Sequence, residues 1–225
     1  MSANKHRLLL ASQSPRRREL LALLGIPFEV SAPDVVETPQ ANETPAGLVA
    51  RLSQAKARAA CSEPSAQLPD TIIIACDTIV VLDGEPLGKP RDATEAAAML
   101  RRLRQHPSHA VYSAVTLLLP VTVHTQTDVA KTELTMRPYT DVEIAAYVAT
   151  GDPLDKAGAY AIQHPGFHPV AALEGCYANV MGLPLCHLTR GLRTLGTGPS
   201  CDVPAACQTH NNHNCSIHTT ILDDK

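Results

Sequence analysis

The residue best suited to acid–base chemistry in this sequence is Asp77, an acid inside an aliphatic stretch. It follows the β-branched run 71–75 and precedes a second apolar run, 79–82. A carboxylate buried among aliphatic side chains is unfavourable unless it is hydrogen-bonded, paired or metal-bound. We therefore predict that Asp77 lies where a buried strand opens to a cleft and acts as a catalytic carboxylate. The alternative is a structural Asp that caps the next turn.

A second unusual feature is the cationic start of the first predicted helix. Ser14 is a good N-cap, and Pro15 suits the first helical position. The first turn would then hold three arginines, Arg16, Arg17 and Arg18. A cation at this end of a helix is unfavourable by roughly 0.3–1 kcal/mol, but a bound phosphate would reverse the sign. The segment indicates either an anion site or a solvated helix start without a ligand.

Three further polar side chains have weaker local signals. Lys89 lies between a glycine and a proline, which shape a loop that can hold its ammonium against a ligand or leave it on the surface. Lys56 lies beside the apolar face of a helix predicted to begin at Pro45. Gln163 ends the segment 155–163, where its amide could read the edge of a base or tie down a loop.

The elements that must position these residues alternate between strand and helix, which is typical of an α/β domain. We predict strands over 7–11, 28–31, 71–82, 111–119 and 122–136. We predict helices over 15–24, from 45 onward, after Asp92 to 103, after Thr140 to 149, and over 183–192. Glycine, proline, cysteine, histidine and asparagine then become frequent. We therefore divide the chain into a domain, 1–196, and a Cys/His-containing C-terminal extension, 197–225, with little core of its own.

Composition excludes several classes of protein. A net charge of −3 over 225 residues argues against direct nucleic-acid binding. No apolar run approaches the roughly 18 residues of a membrane span, so we expect no membrane partner. Seven cysteines, an odd number at irregular spacing, favour reduced thiols and a cytoplasmic protein. The Cys and His residues of the extension match no strong zinc pattern, so a plain extension or a strap on a partner subunit is favoured over metal binding there.

Several ordered blocks of this sequence resemble those of the Maf-like nucleoside triphosphate pyrophosphatases, over a span from Leu8 to Leu192. The blocks read LASQSPRR at 10–17, RLSQAK at 51–56, DTIVVLDGE at 77–85, GKPRD at 88–92, DPLDKAGAYAIQ at 152–163 and NVMGLPL at 179–185. Together they are far more specific than any one of them. The resemblance implies an elongated α/β fold of the Maf/ITPase-like type, with a central mixed sheet flanked by helices and a cleft between two lobes.

The resemblance also implies hydrolysis of a nucleoside triphosphate to its monophosphate and pyrophosphate, with a divalent cation, Mg²⁺ or Mn²⁺. Asp77 falls on the family's proton acceptor. An ordinary Asp, with a pKa near about 3.9, is a poor base toward free water, but a metal that acidifies the water would make it adequate. The family's polar and basic cleft positions correspond to Ser14, Arg16, Arg17, Lys56 and Lys89. We expect Ser14, Arg17, Lys56 and Lys89 to bind phosphate, and Arg16 to help choose the nucleotide.

Within this family one subgroup prefers dTTP and UTP and another prefers 7-methyl-GTP. Three positions separate them, and Arg16, Thr78 and Gln163 all resemble the dTTP/UTP subgroup. Such an enzyme would prevent incorporation of modified nucleotides into nucleic acids. The alternatives are the 7-methyl-GTP activity, or a nucleotide-sensing regulator of septum formation with little hydrolysis. We also expect a homodimer.

The sequence departs from the family pattern in two places that affect the predicted site. Val36 stands where an acidic residue is common, so a metal contact from that loop would rest on Glu37, with Asp77 as the second predicted ligand. The segment 164–175 lacks the glycine pair found in many dTTP/UTP-type relatives and is rich in Pro and His instead. The shape of this segment bears on which nucleotide the protein is expected to prefer.

Overall fold

A seven-stranded mixed sheet forms the centre of the protein in a computed structural model that describes residues 6–223. The strands are β1 (Arg7–Ala11), β2 (Phe28–Ser31), β3 (Thr71–Leu82), β4 (Glu85–Leu87), β5 (His109–Leu119), β6 (His124–Met136) and β7 (Val170–Glu174). Their spatial order is β2–β1–β3–β5–β6–β7, and β4 pairs with β3 beside this path. Strands β2, β1 and β3 are parallel, whereas all other pairs are antiparallel.

The helices that flank this sheet in the described residues are α1 (Pro15–Ala22), α2 (Pro45–Ala60), α3 (Ala93–Gln105), α4 (Asp141–Ala149), α5 (Tyr177–Met181), α6 (Leu185–Thr194), α7 (Val203–Asn211) and α8 (His218–Asp223). Side-chain caps explain where several of them begin. Ser14, Thr44 and Thr140 each accept a hydrogen bond from a backbone N–H in the first turn of α1, α2 and α4. The ends of the predicted domain and extension, residues 1–5 and 224–225, lie outside the described residues.

The predicted fold class, α/β with a mixed sheet flanked by helices, is confirmed. The first three predicted strands have the observed bounds, whereas β5 and β6 begin at His109 and His124. The sequence patterns miss β4 and β7. Strand β4 has three residues and includes a proline, and β7 carries only exposed or half-buried side chains, so neither shows the alternation typical of a strand.

One edge of β3 is shared by two strands that end at the same gap. Strand β1 pairs with the first half of β3 as far as Ala75, and β4 pairs with the second half from Val80. Strand β5 covers the opposite edge of β3 continuously from Ile73 to Val81. Within the described residues, no strand pairs with 76–79 on the first edge. The carboxyl ends of β1 and β4 therefore approach Asp77 from opposite directions.

Two separate buried clusters lie on either side of this gap. The first joins β1, α1, α5 and α6 to the first half of β3, with Leu10, Leu20, Ile74 and Leu188 among its members. The second joins α3 and α4 to the second half of β3, with Val80, Leu100, Tyr139 and Ile144 among its members. The two lobes predicted to flank the cleft correspond to these clusters.

The C-terminal extension contributes side chains to the first cluster. Val203 of α7 is 1% exposed within it, and Cys207 and Ile217 pack against it. The thiol of Cys201 donates to the backbone oxygen of Leu23 at 3.3 Å. Between residues 6 and 223, no three His, Cys, Asp or Glu side chains are arranged to hold a metal ion. No helix in that span is long and apolar enough to cross a membrane.

Replacing Val203 with alanine should lower the free energy of unfolding by about 2 kcal/mol, because it removes buried methyl groups and leaves a cavity. Urea denaturation measures this change. The matched control is Val142→Ala on α4, where the side chain is 79% exposed and we expect a change below about 0.5 kcal/mol. Equal stabilities of the two variants would contradict a core shared between the C-terminal extension and the rest of the domain.

Candidate active site

A cleft of about 690 Å³ opens at the gap in the β3 edge. Its floor is β3 itself, and its walls come from the segments after β1, β2 and β4, from α2, from the segment 155–163 and from the end of α5 with Gly182. Every site residue predicted from the sequence lines this cleft: Ser14, Arg16, Arg17, Glu37, Lys56, Asp77, Thr78, Lys89 and Gln163. The alternative of an Asp77 that only caps a turn is wrong, because Asp77 lies within the continuous strand β3.

Lys56 lies at the centre of the charged groups. Its Nζ is 2.6 Å from Oδ1 of Asp77 and 2.6 Å from Oε1 of Glu37. The side chains of Lys56 and Asp77 are 14% and 7% exposed, whereas that of Glu37 is 55% exposed. The ammonium therefore joins a buried carboxylate on the floor of the cleft to an accessible one at its rim.

Burial and neighbouring charges shift the pKa values of Asp77 and Glu37 in opposite directions. Burial raises the pKa of Asp77 above its usual value, although the charge and hydrogen bond of Lys56 act against this. Burial also acts to raise the pKa of Glu37, but Lys56, with smaller contributions from Lys89 and Arg17, outweighs it and lowers that pKa. The pKa of the buried Asp77 is thus raised above the usual value of an Asp, and that of the accessible Glu37 is lowered below the usual value of a Glu.

Arg17 is held by three protein acceptors. Its guanidinium donates to the backbone oxygen of Gly182 at 2.8 Å, to Oγ of Ser12 at 3.2 Å and to Oγ1 of Thr78 at 3.0 Å. Gly182 has φ +107°, and a Cβ there would lie 3.3 Å from Nε of Arg17, so a side chain at 182 would be strained and would crowd the guanidinium. Besides presenting its charge, Arg17 therefore connects the segment after β1 and the end of α5 to the floor of the cleft.

The hydroxyl of Thr78 belongs to a hydrogen-bond chain of fixed direction. Arg17 can only donate, and Ser113 donates to the backbone oxygen of Asn179 at 2.9 Å. Thr78 must therefore accept from Arg17 and donate to Oγ of Ser113, 2.8 Å away. The sequence reasoning missed Ser113, because only the β3–β5 register places it opposite Thr78.

Two lysines beside the cleft differ in how their charge is used. Lys89 is exposed and follows β4, so its ammonium enters from the rim. Lys156 is buried, and its Nζ lies 2.8 Å from Oδ1 of Asp152 and 2.6 Å from Oδ1 of Asp155. The charge of Lys156 is therefore compensated inside the protein. Gln163 is exposed and lies in the segment 155–163 that lines the cleft.

Fold and cleft together define an α/β protein whose cationic pocket, with a basic carboxylate on its floor, suits a phosphorylated ligand. The chain belongs to the Maf-like protein family, whose model matches residues 7–195. It is 48% identical over 187 residues to a dTTP/UTP pyrophosphatase of Salinibacter ruber, covering 83% of this chain and 89% of the relative. It is 49% identical over 185 residues to a dTTP/UTP pyrophosphatase of Myxococcus xanthus, covering 82% of this chain and 90% of that relative.

Among solved structures, a HAM1 protein from Coxiella burnetii aligns with a TM-score of 0.45 and 20% identity, covering 60% of this chain and 74% of that one. This likeness is too distant to bear on function. The family match ends at residue 195, next to the predicted boundary at 196.

Replacing Lys56 with methionine should raise the pKa of Asp77 further. The variant loses the ammonium that lowers this pKa, while burial and the Glu37 carboxylate, which both raise it, remain. Carboxyl carbon chemical shifts followed by NMR across a pH titration measure the midpoint. Lys131→Met, which removes an exposed lysine paired with Glu133, should leave the Asp77 midpoint unchanged. An unmoved midpoint in Lys56→Met would show that Lys56 is not the counter-charge of Asp77.

Proposed function

We propose that this protein hydrolyses dTTP and UTP to the nucleoside monophosphate and pyrophosphate, with Asp77 as proton acceptor. The observation that carries the proposal is the Lys56–Asp77 pair, 2.6 Å apart, on the floor of a cationic cleft. The substrate class is taken from the two bacterial relatives, which share nearly half of their aligned residues with this chain.

Asp77 has the environment of a general base. Burial makes its carboxylate more basic than an ordinary Asp, and the neighbouring ammonium favours the ionised form at neutral pH. The carboxylate accepts a proton from water as the water oxygen bonds to the α-phosphorus. The bond from that phosphorus to the bridging oxygen breaks, and pyrophosphate leaves with the bond's electron pair. Lys56 stabilises the negative charge that develops on the phosphate oxygens during this step.

The carboxylates of the cleft fit a divalent cation that binds together with the substrate. Mg²⁺ is commonly held by one or two carboxylates plus substrate phosphates rather than by a complete protein cage. Asp77 and Glu37 converge on one ammonium from 2.6 Å each, and no larger ligand group occurs in residues 6–223. Asp77 and Glu37 would hold Mg²⁺ or Mn²⁺, which supplies a more acidic water when bound.

Of the remaining cleft residues, some bind the phosphates and others bind the base. Ser14 and Arg17 lie at the start of α1, where backbone N–H groups and the helix dipole favour an anion, and their neighbour Arg16 helps to choose the nucleotide. Lys89 adds a cation from the opposite side of the gap. Gln163 pairs through its amide with the O4 and N3 edge of uracil or thymine. Thr78 acts on this site by holding Arg17 in place, as its hydroxyl bonds to Arg17 and Ser113.

The nucleotide-sensing alternative requires a basic cleft but no general base. The buried Asp77 beside Lys56 favours the enzyme over that alternative, and the two relatives' names favour dTTP and UTP over 7-methyl-GTP. We further propose a cytoplasmic setting, since all seven cysteines are free thiols. The homodimer stays a prediction.

Pyrophosphate release from a panel of canonical and modified triphosphates, with Mg²⁺ and with Mn²⁺, tests the proposal. We expect dTTP and UTP to be the preferred substrates, and Asp77→Asn to keep the fold while losing most turnover, by about 10²-fold or more, because the base is removed. Asp70→Asn, at an exposed position outside the cleft, is the matched control. Near wild-type release by Asp77→Asn would refute its role.

Replacing Gln163 with alanine should raise KM for UTP by about five- to tenfold, which corresponds to the loss of one or two hydrogen bonds. Turnover at saturation should change much less, since the base is remote from the reacting phosphorus. Steady-state kinetics separate the two parameters. Gln105→Ala, an exposed residue at the end of α3 that does not line the cleft, provides the comparison. An unchanged KM would remove Gln163 from the base pocket.

A further inference from the structure

We propose that Tyr147, which lies outside the cleft, positions the loop that presents Gln163 and thereby sets the affinity for the nucleobase. This inference rests on the proposed function, because it assigns a use to Gln163. The loop in question, residues 161–167, is called here the Gln163 loop. No sequence pattern marks Tyr147, which belongs to α4 and is 3% exposed.

The hydroxyl of Tyr147 fixes the beginning of the Gln163 loop. It accepts a hydrogen bond from the backbone N–H of Ala161 at 3.0 Å and lies 2.6 Å from Oδ2 of Asp152. A backbone N–H can only donate, so the hydroxyl proton must point to the carboxylate. Ala161 is buried and stands two residues before Gln163. Without this hydroxyl, the Ala161 N–H would lose its acceptor inside the protein.

The carboxylate that receives the Tyr147 proton is itself held in place. Nζ of Lys156 lies 2.8 Å from Oδ1 of Asp152 and 2.7 Å from its backbone oxygen. Lys156 is 6% exposed, so the ammonium that holds Asp152 is itself buried. The Tyr147 hydroxyl thus connects the Gln163 loop to an ion pair rather than to a mobile surface group.

The ring of Tyr147 fixes the other end of the same loop. It stacks on Phe167 with 4.3 Å between ring centroids and an interplanar angle of 17°, and it contacts the ring of His164 at 4.7 Å. Nδ1 of His164 accepts from the backbone N–H of Gly166 and Phe167, which closes the turn after Gln163. Phe167 is 3% exposed. One side chain therefore anchors both ends of a loop whose middle carries an exposed glutamine.

This arrangement makes Tyr147 a positioning residue. Gln163 has to place its amide within hydrogen-bond reach of a base, and small displacements of such groups weaken binding strongly. The residues proposed to bind phosphate belong to other segments, namely Ser14 and Arg17 to the start of α1, Lys56 to α2 and Lys89 to the chain after β4. Loosening the Gln163 loop should therefore weaken binding of the base and spare binding of the triphosphate.

The test compares Tyr147→Phe with Tyr139→Phe by calorimetric binding of two probes. The control tyrosine is buried in the same cluster and donates its hydroxyl to the backbone oxygen of Leu100, so it matches the loss of one buried hydrogen bond. For Tyr147→Phe we expect about fivefold weaker binding of α,β-methylene-UTP and unchanged binding of inorganic tripolyphosphate, which has no base. For Tyr139→Phe we expect both affinities to stay within about twofold of wild type.

Combination with Gln163→Ala tests whether Tyr147 acts through Gln163. If it does, adding Tyr147→Phe to Gln163→Ala should not weaken analogue binding further, because the positioned group is already gone. Additive losses, equal losses for both probes, or unchanged analogue binding in Tyr147→Phe would each overturn the inference. If Tyr147→Phe fails to fold, His164→Ala, which removes the loop's own ring in contact with Tyr147 and the acceptor of the Gly166 and Phe167 N–H groups, must show the same selective loss.

The binding assay separates this inference from the proposed function. A wild-type protein that binds the analogue but releases no pyrophosphate from UTP would refute the proposed hydrolysis, and the Tyr147 comparison would still be decided by the binding constants. Normal hydrolysis with an unchanged Tyr147→Phe affinity would refute the inference alone.

Discussion

The unpaired stretch 76–79 on one edge of β3 is the constraint on which the cleft depends. Two strands share that edge and both end at the stretch, so the chain leaves the sheet there twice. One exit leads to Ser14 and the arginines of α1, and the other leads to Lys89. A single interruption in strand pairing thus brings two cationic segments to either side of Asp77, which stays fixed because β5 pairs with β3 on the other edge.

The position of Asp77 requires a compensating charge. A carboxylate that is 7% exposed is strongly unfavourable alone, and removal of one partner from a buried ion pair is more destabilising than the pair's net contribution. Helix α2 supplies the partner, Lys56, and packs on β3 and β5 through small and aliphatic side chains. The same charge keeps the accessible Glu37 ionised. Stability and reactivity of the site therefore depend on one ammonium.

Local sequence patterns predict the parts of the site that depend on neighbouring residues. The β-branched run around Asp77, the Ser-Pro start of α1 and the apolar face beside Lys56 all indicate their elements from a few adjacent residues. The contacts of Arg17 and Tyr147 are different. The Gly182 carbonyl that accepts from Arg17 lies 165 residues away, and pairing of Ser113 with Thr78 follows from strand register. Such contacts depend on how distant segments pack, which composition and periodicity do not specify.

The two buried clusters on either side of the cleft have a consequence for how such a protein diverges. The arginines of α1 belong to an element packed in the first cluster, whereas Tyr147 and the last residue of the Gln163 loop, Phe167, belong to the second. The clusters share β3 and β5, and Ile162 of the Gln163 loop packs against both, whereas α3 and α4 contribute only to the second. Substitutions in α3 and α4 can therefore alter the support of the Gln163 loop while α1 is retained. New nucleotide preferences can arise by changing these two helices.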